Sequence, residues 1–201
     1  MSAVVEAMVG SAQSELFPAR PAQRPLGGAD TPPGVPAIQV NGVCVGDELS
    51  DVTFTVRPGE IVGLVGLERA GTATVLGVLF GTRRPTAGTV AFSDGRGAPR
   101  SSTAAARRRI SLVPADRRQQ GLMLERSVGW NAAQVRVGAL RRRPWLRASE
   151  LRSAGDRQIA NLGIKAGGAD SSVAGLSGGN QQKVVIGKWL EIAPRVFLLD
   201  D

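Results

Sequence analysis

The feature that most constrains this chain is a pair of glycines that leads directly into a helical pattern, in the stretch LSGGNQQKVVIGKWL at residues 176–190. Gly178 and Gly179 follow a hydroxyl residue, and apolar side chains then recur at the spacing of an α-helix. A helix that begins in this way directs free backbone N–H groups and the positive end of its dipole into a gap without side chains. Such a helix start favours an anion. The candidate binding residues are Ser177, Gly178, Gly179, Asn180 and Gln181.

A short apolar strand that ends in a carboxylate follows this helix, since residues 195–200 read RVFLLD. The order of glycine pair, helix and strand resembles the signature and Walker B segments of ATP-binding cassette (ABC) proteins. The longer form LSGGNQQK resembles, more narrowly, the second cassette of the fused ATP-binding subunits of bacterial sugar importers of the ribose, galactose and xylose type. The resemblance implies an α/β fold, with a P-loop NTPase core of the RecA-like kind and an inserted helical subdomain. The alternative interpretation is a glycine-capped amphipathic helix before a core strand, without a ligand.

A second glycine-rich stretch, GLVGLERAGTAT at residues 63–74, lies between a predicted strand and a predicted helix. This is the context of a P-loop, G-x-x-x-x-G-K-[ST], whose backbone N–H groups wrap phosphates. Gly66 and Gly71 stand at the two glycine positions. Thr72 and Ala73 replace the lysine and the magnesium-binding hydroxyl, so we expect a nucleotide-binding loop that is hydrolytically impaired. A plain strand–turn–helix junction is the alternative.

The resemblance also implies roles for residues at the end of the chain. Asp200 matches the Walker B aspartate, whose carboxylate would hold Mg²⁺ through water. Asp201 falls where most cassettes carry the catalytic glutamate, and its shorter side chain could still polarise water. Ala115 occupies the position where many cassettes carry glutamine. The chain contains no histidine, so the switch histidine of the family is missing too, and we expect a cassette truncated after Walker B.

Composition narrows the class of partner. The net charge is +8, carried mostly by arginine, and basic runs raise nucleic acid or an anionic membrane surface as partners. Aromatic residues make up only 4%, so no stacking platform accompanies the charge and we expect no nucleic-acid partner. The apolar runs are too short to cross a bilayer, and the single Cys44 excludes an internal disulfide framework.

The chain divides into a tail and one domain. Residues 1–36, rich in Pro and Gly, are predicted to form a flexible linker similar to the connector after the first cassette of those fused subunits. Residues 37–201 are predicted to form the cassette, with an α/β core at about 37–120 and 183–201 and a helical subdomain at about 121–182. A helix capped by Ser149 is predicted to end at Gly163. The predicted strands are 51–56, 61–65, 89–92, 110–113 and 196–199.

The resemblance implies how the two motifs work together. ABC cassettes pair head to tail, so each nucleotide lies between the phosphate loop of one cassette and the signature helix of the other. Here the loop has lost its working side chains and the signature has lost none. The hypothesis is a degenerate second cassette, of the ABC ATPase class, that supplies its signature to ATP and Mg²⁺ held by a partner cassette.

This cassette would act at the cytoplasmic face of the inner or plasma membrane. Its partners would be a second ABC cassette, membrane-spanning permease subunits and, indirectly, a sugar-binding protein. Two alternatives stay open: a DNA-associated ABC-type ATPase, and a gene fragment that does not fold stably because sheet strands are missing.

Overall fold

The computed structural model describes residues 34–67, 70–136 and 147–200. The predicted linker at 1–36 lies outside these ranges except for residues 34–36. The described chain forms the strands β1 (Ile38–Val45), β2 (Leu49–Val56), β3 (Ala87–Phe92), β4 (Ile110–Val113) and β5 (Val196–Leu199). Its α-helices are α1 (Thr72–Phe80), α2 (Ser102–Arg107), α3 (Val128–Val135), α4 (Ala148–Leu162) and α5 (Gly178–Leu190). It also contains a π-helical turn at Arg117–Gly121 and a 3₁₀ turn at Val173–Gly175.

The first three strands form an antiparallel sheet in the order β2-β1-β3. The middle strand β1 pairs along both edges, with Ile38 opposite Val56 on one side and opposite Phe92 on the other. In β2, residues 51–56 alternate between exposed and half-buried side chains, which is the pattern of a strand with one face on the core. The strands predicted at 51–56 and 89–92 are therefore confirmed.

The last two strands form a separate parallel pair. β4 and β5 run in register from Ile110 opposite Val196 to Val113 opposite Leu199. Ser111 is fully buried between them and donates its hydroxyl proton to the carbonyl oxygen of Val196 at 3.0 Å. The strands predicted at 110–113 and 196–199 are confirmed. A parallel pair needs a long crossover connection, and here the connection contains α3, α4 and α5.

The strand predicted at residues 61–65 does not form. No strand includes these residues, and Ile61 and Val65 are 97% and 96% exposed. An apolar run is stable as a buried strand only where neighbouring strands complete its hydrogen bonds and other layers cover its faces. Within the described residues, β2 pairs with β1 and β4 pairs with β5, and neither sheet extends to this segment. The prediction was wrong because residues 61–65 have no neighbouring strand to pair with in either sheet.

A buried amide ties the loop before α3 to that helix. Asn131 of α3 is fully buried, and its Oδ1 accepts a hydrogen bond from the Met123 N–H at 2.8 Å. Its Nδ2 donates to the carbonyl oxygens of Met123 and Ser127, each at 3.0 Å. One side chain therefore fixes the loop before α3 to the first turn of that helix, with no polar atom of the amide left unpaired.

The limits of α4 agree with the prediction at one end. The helix ends before Gly163, whose φ of 57° lies in the left-handed region that favours glycine. At the other end the helix begins at Ala148 rather than after Ser149. The N–H of Arg147 donates to the Glu150 carboxylate at 3.1 Å, so a glutamate in the first turn closes the helix start instead of a serine cap.

One apolar core joins the antiparallel sheet, α1, β4 and α5. Phe80 at the end of α1 meets Trp189 of α5 edge to face, with ring centroids 5.6 Å apart and planes at 88°. The core therefore holds α5, and with it the glycine pair, against the strands.

Across residues 34–67, 70–136 and 147–200, no helix is both long and apolar enough to span a membrane.

The basic run at 107–109 contributes to the fold. Arg108 forms two hydrogen bonds of 2.9 Å to the Asp94 carboxylate. Partial burial alone would raise the pKa of Asp94, but the hydrogen bonds and charge of Arg108, with a neighbouring backbone N–H, hold it below its ordinary value. Arg109 donates through Nε to the carbonyl oxygen of Ala193 at 2.7 Å, just beyond the end of α5. These two guanidinium groups are therefore occupied within the chain.

Candidate functional site

The start of α5 is open to a ligand. The helix begins at Gly178, and its N-cap Ser177 has extended backbone angles but makes no side-chain cap bond. The N–H of Gln181 is bonded to the Ser177 carbonyl oxygen at 2.9 Å, so the N–H groups before it point out of the helix end. The first turn contains no acidic residue that would neutralise the positive dipole end. The arrangement can therefore accept an anion.

The hydroxyl of Ser177 is oriented by its neighbour. Its Oγ accepts a hydrogen bond from Asn180 Nδ2 at 2.9 Å. Asn180 Oδ1 in turn accepts from the Lys165 N–H at 2.9 Å, which fixes the amide plane. Since Oγ is already an acceptor from within the chain, its own proton remains available to a ligand oxygen. Asn180 therefore positions the hydroxyl, while Ser177 lies at the open helix end.

The two signature glycines face different surroundings. A Cβ atom built on Gly179 would have no heavy atom within 4 Å, so the space in front of this residue is empty. A Cβ atom on Gly178 would lie 2.8 Å from a terminal nitrogen of Arg117, which is too close for a real side chain. Arg117 belongs to neither of the two glycine-rich motifs of the sequence. Its place beside the glycine pair is visible only once the chain is folded.

Gln181 has a different position from the other signature residues. Its side chain is 5% exposed, and its Nε2 donates to the carbonyl oxygen of Val173 at 3.2 Å. This bond ties the first turn of α5 to the 3₁₀ turn that precedes it. The structure thus places Ser177 and Gly179 at the open end of the helix and directs the Gln181 side chain into the protein.

The glycine-rich loop before α1 shows the backbone geometry of a tight entry into a helix. Gly71 is the N-cap of α1 and has φ of 85°, which favours glycine. A Cβ atom there would lie 2.7 Å from the Glu48 carbonyl oxygen and 2.8 Å from Leu49 Cδ1. Gly66 lies on the other side of the loop, where a Cβ atom would overlap that of Ala70. Neither position therefore has room for a side chain, and the role of the two glycines in nucleotide binding stays a prediction.

The side chains at the start of α1 provide little for a nucleotide. Thr72 and Ala73 are the first two residues of the helix, and no charged residue lies in its first or last turn. Thr74, one position beyond the missing magnesium hydroxyl, does not replace it. Its Oγ1 donates to the Glu48 carboxylate at 2.8 Å, and the residue is 9% exposed. The phosphate loop thus has its glycines but neither the lysine at position 72 nor the magnesium-binding hydroxyl at position 73.

The carboxylate predicted to hold magnesium, that of Asp200, directly follows the end of β5. The N–H of Asp200 donates to the Val113 carbonyl oxygen at 2.9 Å, which continues the pairing of β5 with β4 by one residue. Asp200 therefore follows the strand directly, as the Walker B resemblance implies. Asp201 lies outside the described residues, so its predicted role stays a prediction.

Sequence reasoning did not single out Lys188, a buried residue of α5. Its ammonium group donates to the carbonyl oxygen of Gly121, at the end of the π-helical turn, and lies 5.6 Å from the centroid of the Trp189 ring. Burial lowers the pKa of Lys188 from 10.5 to about 8. The lysine follows the helical spacing of the buried face, which is the signal that could have identified it. It joins the turn after β4 to the signature helix.

Comparisons with known proteins agree with these motifs. A family model described as ABC transporter matches residues 49–201. The chain is 41% identical over 201 residues to the ribose import ATP-binding protein RbsA 1 of Rhizobium etli, which covers 98% of this chain and 38% of that protein. It is 32% identical over 203 residues to the galactose/methyl galactoside import ATP-binding protein MglA of Treponema denticola, covering 100% of this chain and 39% of that protein. The chain thus spans well under half the length of these relatives.

Solved structures show the same fold. A nucleotide-free ATP-binding cassette from an ABC transporter superposes with a TM-score of 0.67 at 18% identity, covering 83% of this chain and 69% of that one. A dimeric ATP-binding cassette in a post-hydrolysis state, bound to ADP and Pi, gives a TM-score of 0.63 at 21% identity, covering 82% and 73%. The fold is that of a P-loop NTPase cassette. With the family model matched from β2 to the end of the chain, this protein belongs to the ABC transporter family.

Proposed function

We propose that this chain is the signature-bearing cassette of a carbohydrate importer, and that the start of α5 binds a phosphate group of ATP held by a partner cassette. The observation that carries the proposal is the helix start itself, with free N–H groups, empty space at Gly179 and no acidic residue in the first turn. The substrate class is taken from the relatives, which are named as import proteins for ribose and for galactose.

The chain's own phosphate loop does not fit a magnesium nucleotide well. Thr72 cannot supply the charge that a lysine brings to the β- and γ-phosphates, and Ala73 has no oxygen for Mg²⁺. Thr74 is already bonded to Glu48. At the chain's own nucleotide site Asp200 would hold Mg²⁺ through water and Asp201 would polarise water, but the phosphate loop lacks its lysine. The proposal therefore places the working nucleotide on the partner.

The signature side fits a phosphate better. Ser177 would donate its hydroxyl proton to a phosphate oxygen. Its Oγ already accepts a hydrogen bond from Asn180, so the proton is left for the ligand. The backbone N–H groups at Gly178 and Gly179 would hold the remaining oxygens, and the helix dipole favours their charge. When bound, ATP supplies the phosphate chain that draws the two cassettes together. Closure at the cytoplasmic face would then be transmitted to membrane-spanning permease subunits, which a sugar-binding protein supplies with substrate.

The experiment is a comparison of three variants in an assembly of this chain with a cassette that has an intact phosphate loop. We expect Gly179→Asp to abolish most ATP hydrolysis, because a carboxylate would occupy the phosphate position and oppose the dipole. Gly179→Asn has the same size without the charge and should retain clearly more activity. Thr72→Lys should change the rate little, because its own site lacks other groups. Intact turnover in Gly179→Asp, or a strong gain from Thr72→Lys, would overturn the proposal.

A further inference from the structure

Arg117 lies across the start of the signature helix without a partner that explains its position. One terminal guanidinium nitrogen lies 2.8 Å and Cζ lies 3.7 Å from the place where a Cβ atom of Gly178 would stand. Its Nε is buried and has no hydrogen-bond acceptor among the described residues. No carboxylate of the described chain forms an ion pair with it. The charge is therefore held close to the glycine pair with no acid to balance it.

The turn that carries Arg117 is capped at its start and bonded to α5 at its end. At its start, Asp116 Oδ1 accepts from the N–H groups of Arg118 and Gln119, each at 3.0 Å, which fixes the first residues of the turn. At its end, the Gly121 carbonyl oxygen accepts from the buried Lys188 of α5. The backbone that carries the Arg117 side chain is thus held close to the helix start. A π-helical turn is rare and often marks a functional position.

The electrostatics of this place call for an anion. The positive end of a helix dipole repels a cation, so a guanidinium beside the first turn of α5 is unfavourable when nothing negative lies between them. No acidic residue stands in that turn. A phosphate at the helix start reverses the sign of both interactions, because it is attracted to the dipole and to the guanidinium at once. A guanidinium also presents two parallel N–H donors, which match two phosphate oxygens.

We propose that Arg117 is a further phosphate-binding residue of the signature site, donating to the same phosphate group that the backbone of α5 holds. This inference rests on the proposed function of that site. It also divides the roles of the two glycines. Gly178 leaves room for the guanidinium in its present position, and Gly179 leaves space for the phosphate in front of the helix.

The test measures the affinity of a slowly hydrolysed ATP analogue in the mixed assembly with an intact partner cassette. We expect Arg117→Gln to weaken binding about ten- to a hundredfold, because one charged donor pair to the phosphate is lost. The affinity of Arg117→Lys should lie between those of the parent chain and of Arg117→Gln. Thermal unfolding of the chain provides a second readout. The Tm of Arg117→Gln should stay unchanged or rise, because a cation is removed from the positive end of a helix.

Gly179→Asp, measured in parallel, separates the inference from the proposed function. If Gly179→Asp abolishes binding while Arg117→Gln binds within about twofold of the parent chain, the proposed function stands and the role of Arg117 is refuted. If neither variant weakens binding, both are refuted. If Arg117→Gln lowers both affinity and Tm by a large amount, the residue acts in folding and the inference is refuted as well.

Discussion

The buried Lys188 of the signature helix should make the free energy of unfolding depend on pH, with a sign and a size that follow from its pKa. Burial lowers the pKa of Lys188 to about 8, compared with 10.5 for an ordinary lysine. The folded protein therefore releases this proton more readily than the unfolded chain does. Between about pH 8 and 10.5 the unfolded chain binds more protons, so the free energy of unfolding should rise with pH across this window. Below pH 8 Lys188 is charged in the folded protein, so the full cost of burying its charge lowers the free energy of unfolding.

The size of the effect follows from the two pKa values. Their difference, 10.5 − 8, is about 2.5, which corresponds to about 3 kcal/mol at about 1.4 kcal/mol for each pKa unit. Replacing the lysine with methionine removes this penalty but leaves the Gly121 carbonyl oxygen without its donor, at about 1–3 kcal/mol. At pH 7 the two changes should nearly cancel. The variant should lose the rise in stability between pH 8 and 10.5 that the parent chain shows.

Urea unfolding of the parent chain and of Lys188→Met at several pH values measures this directly. The chain has no tyrosine or histidine, and its other groups that titrate in this pH window are shared by both proteins. Their contribution to the free energy of unfolding therefore cancels in the comparison. Subtracting one curve of unfolding free energy against pH from the other isolates the contribution of Lys188. A difference that stays constant from pH 7 to 10.5, or a parent chain that loses stability relative to the variant as pH rises, would refute the reasoning.

Three further predictions follow from contacts in the structure. Asn131→Ala should reduce the free energy of unfolding by about 3 kcal/mol, because three hydrogen bonds of a fully buried amide are lost; a loss below about 1 kcal/mol in urea unfolding would contradict this. Gly178→Ala should displace the Arg117 guanidinium, since its Cβ would lie 2.8 Å from a terminal nitrogen, so its effect on the free energy of unfolding should differ in an Arg117→Ala background; equal effects in a double-mutant cycle would exclude this contact. Trp130, 39% exposed on α3 with an arginine guanidinium 5.5 Å from its ring, is expected to face the permease subunits of the proposed importer, so Trp130→Ala in a complete importer should reduce transport while nucleotide binding stays constant; normal transport would show that this side chain does not serve that contact.

The parts of the fold that were predicted correctly are those determined by local pattern. The signature helix follows from a glycine pair and apolar residues at helical spacing, and α4 ends where Gly163 permits a left-handed residue. The short strands β4 and β5 follow from apolar runs bounded by turn residues. Each of these features depends on residues close together in sequence, so a single chain read without relatives contains the information.

The parts that could not be predicted depend on contacts between distant residues. The apolar run at 61–65 has the composition of a buried strand, but burial is decided by strands elsewhere in the chain. The place of Arg117 beside Gly178 joins residues on two elements that only the fold brings together. The same holds for Thr74, whose hydroxyl could have served a metal but instead bonds Glu48. Motif spacing identifies which residues belong to a site and does not show what their side chains touch.

The measurement that tests the central claim most directly is ATP hydrolysis by this chain alone, by an intact cassette alone and by their mixture. The claim is that the phosphate loop here is inactive and the signature is active. The chain alone should hydrolyse ATP negligibly, whereas the mixture should exceed the intact cassette alone, and Gly179→Asp should remove that gain. Clear turnover by the chain alone, abolished by Asp200→Asn, would contradict the account, as would a mixture no faster than the intact cassette.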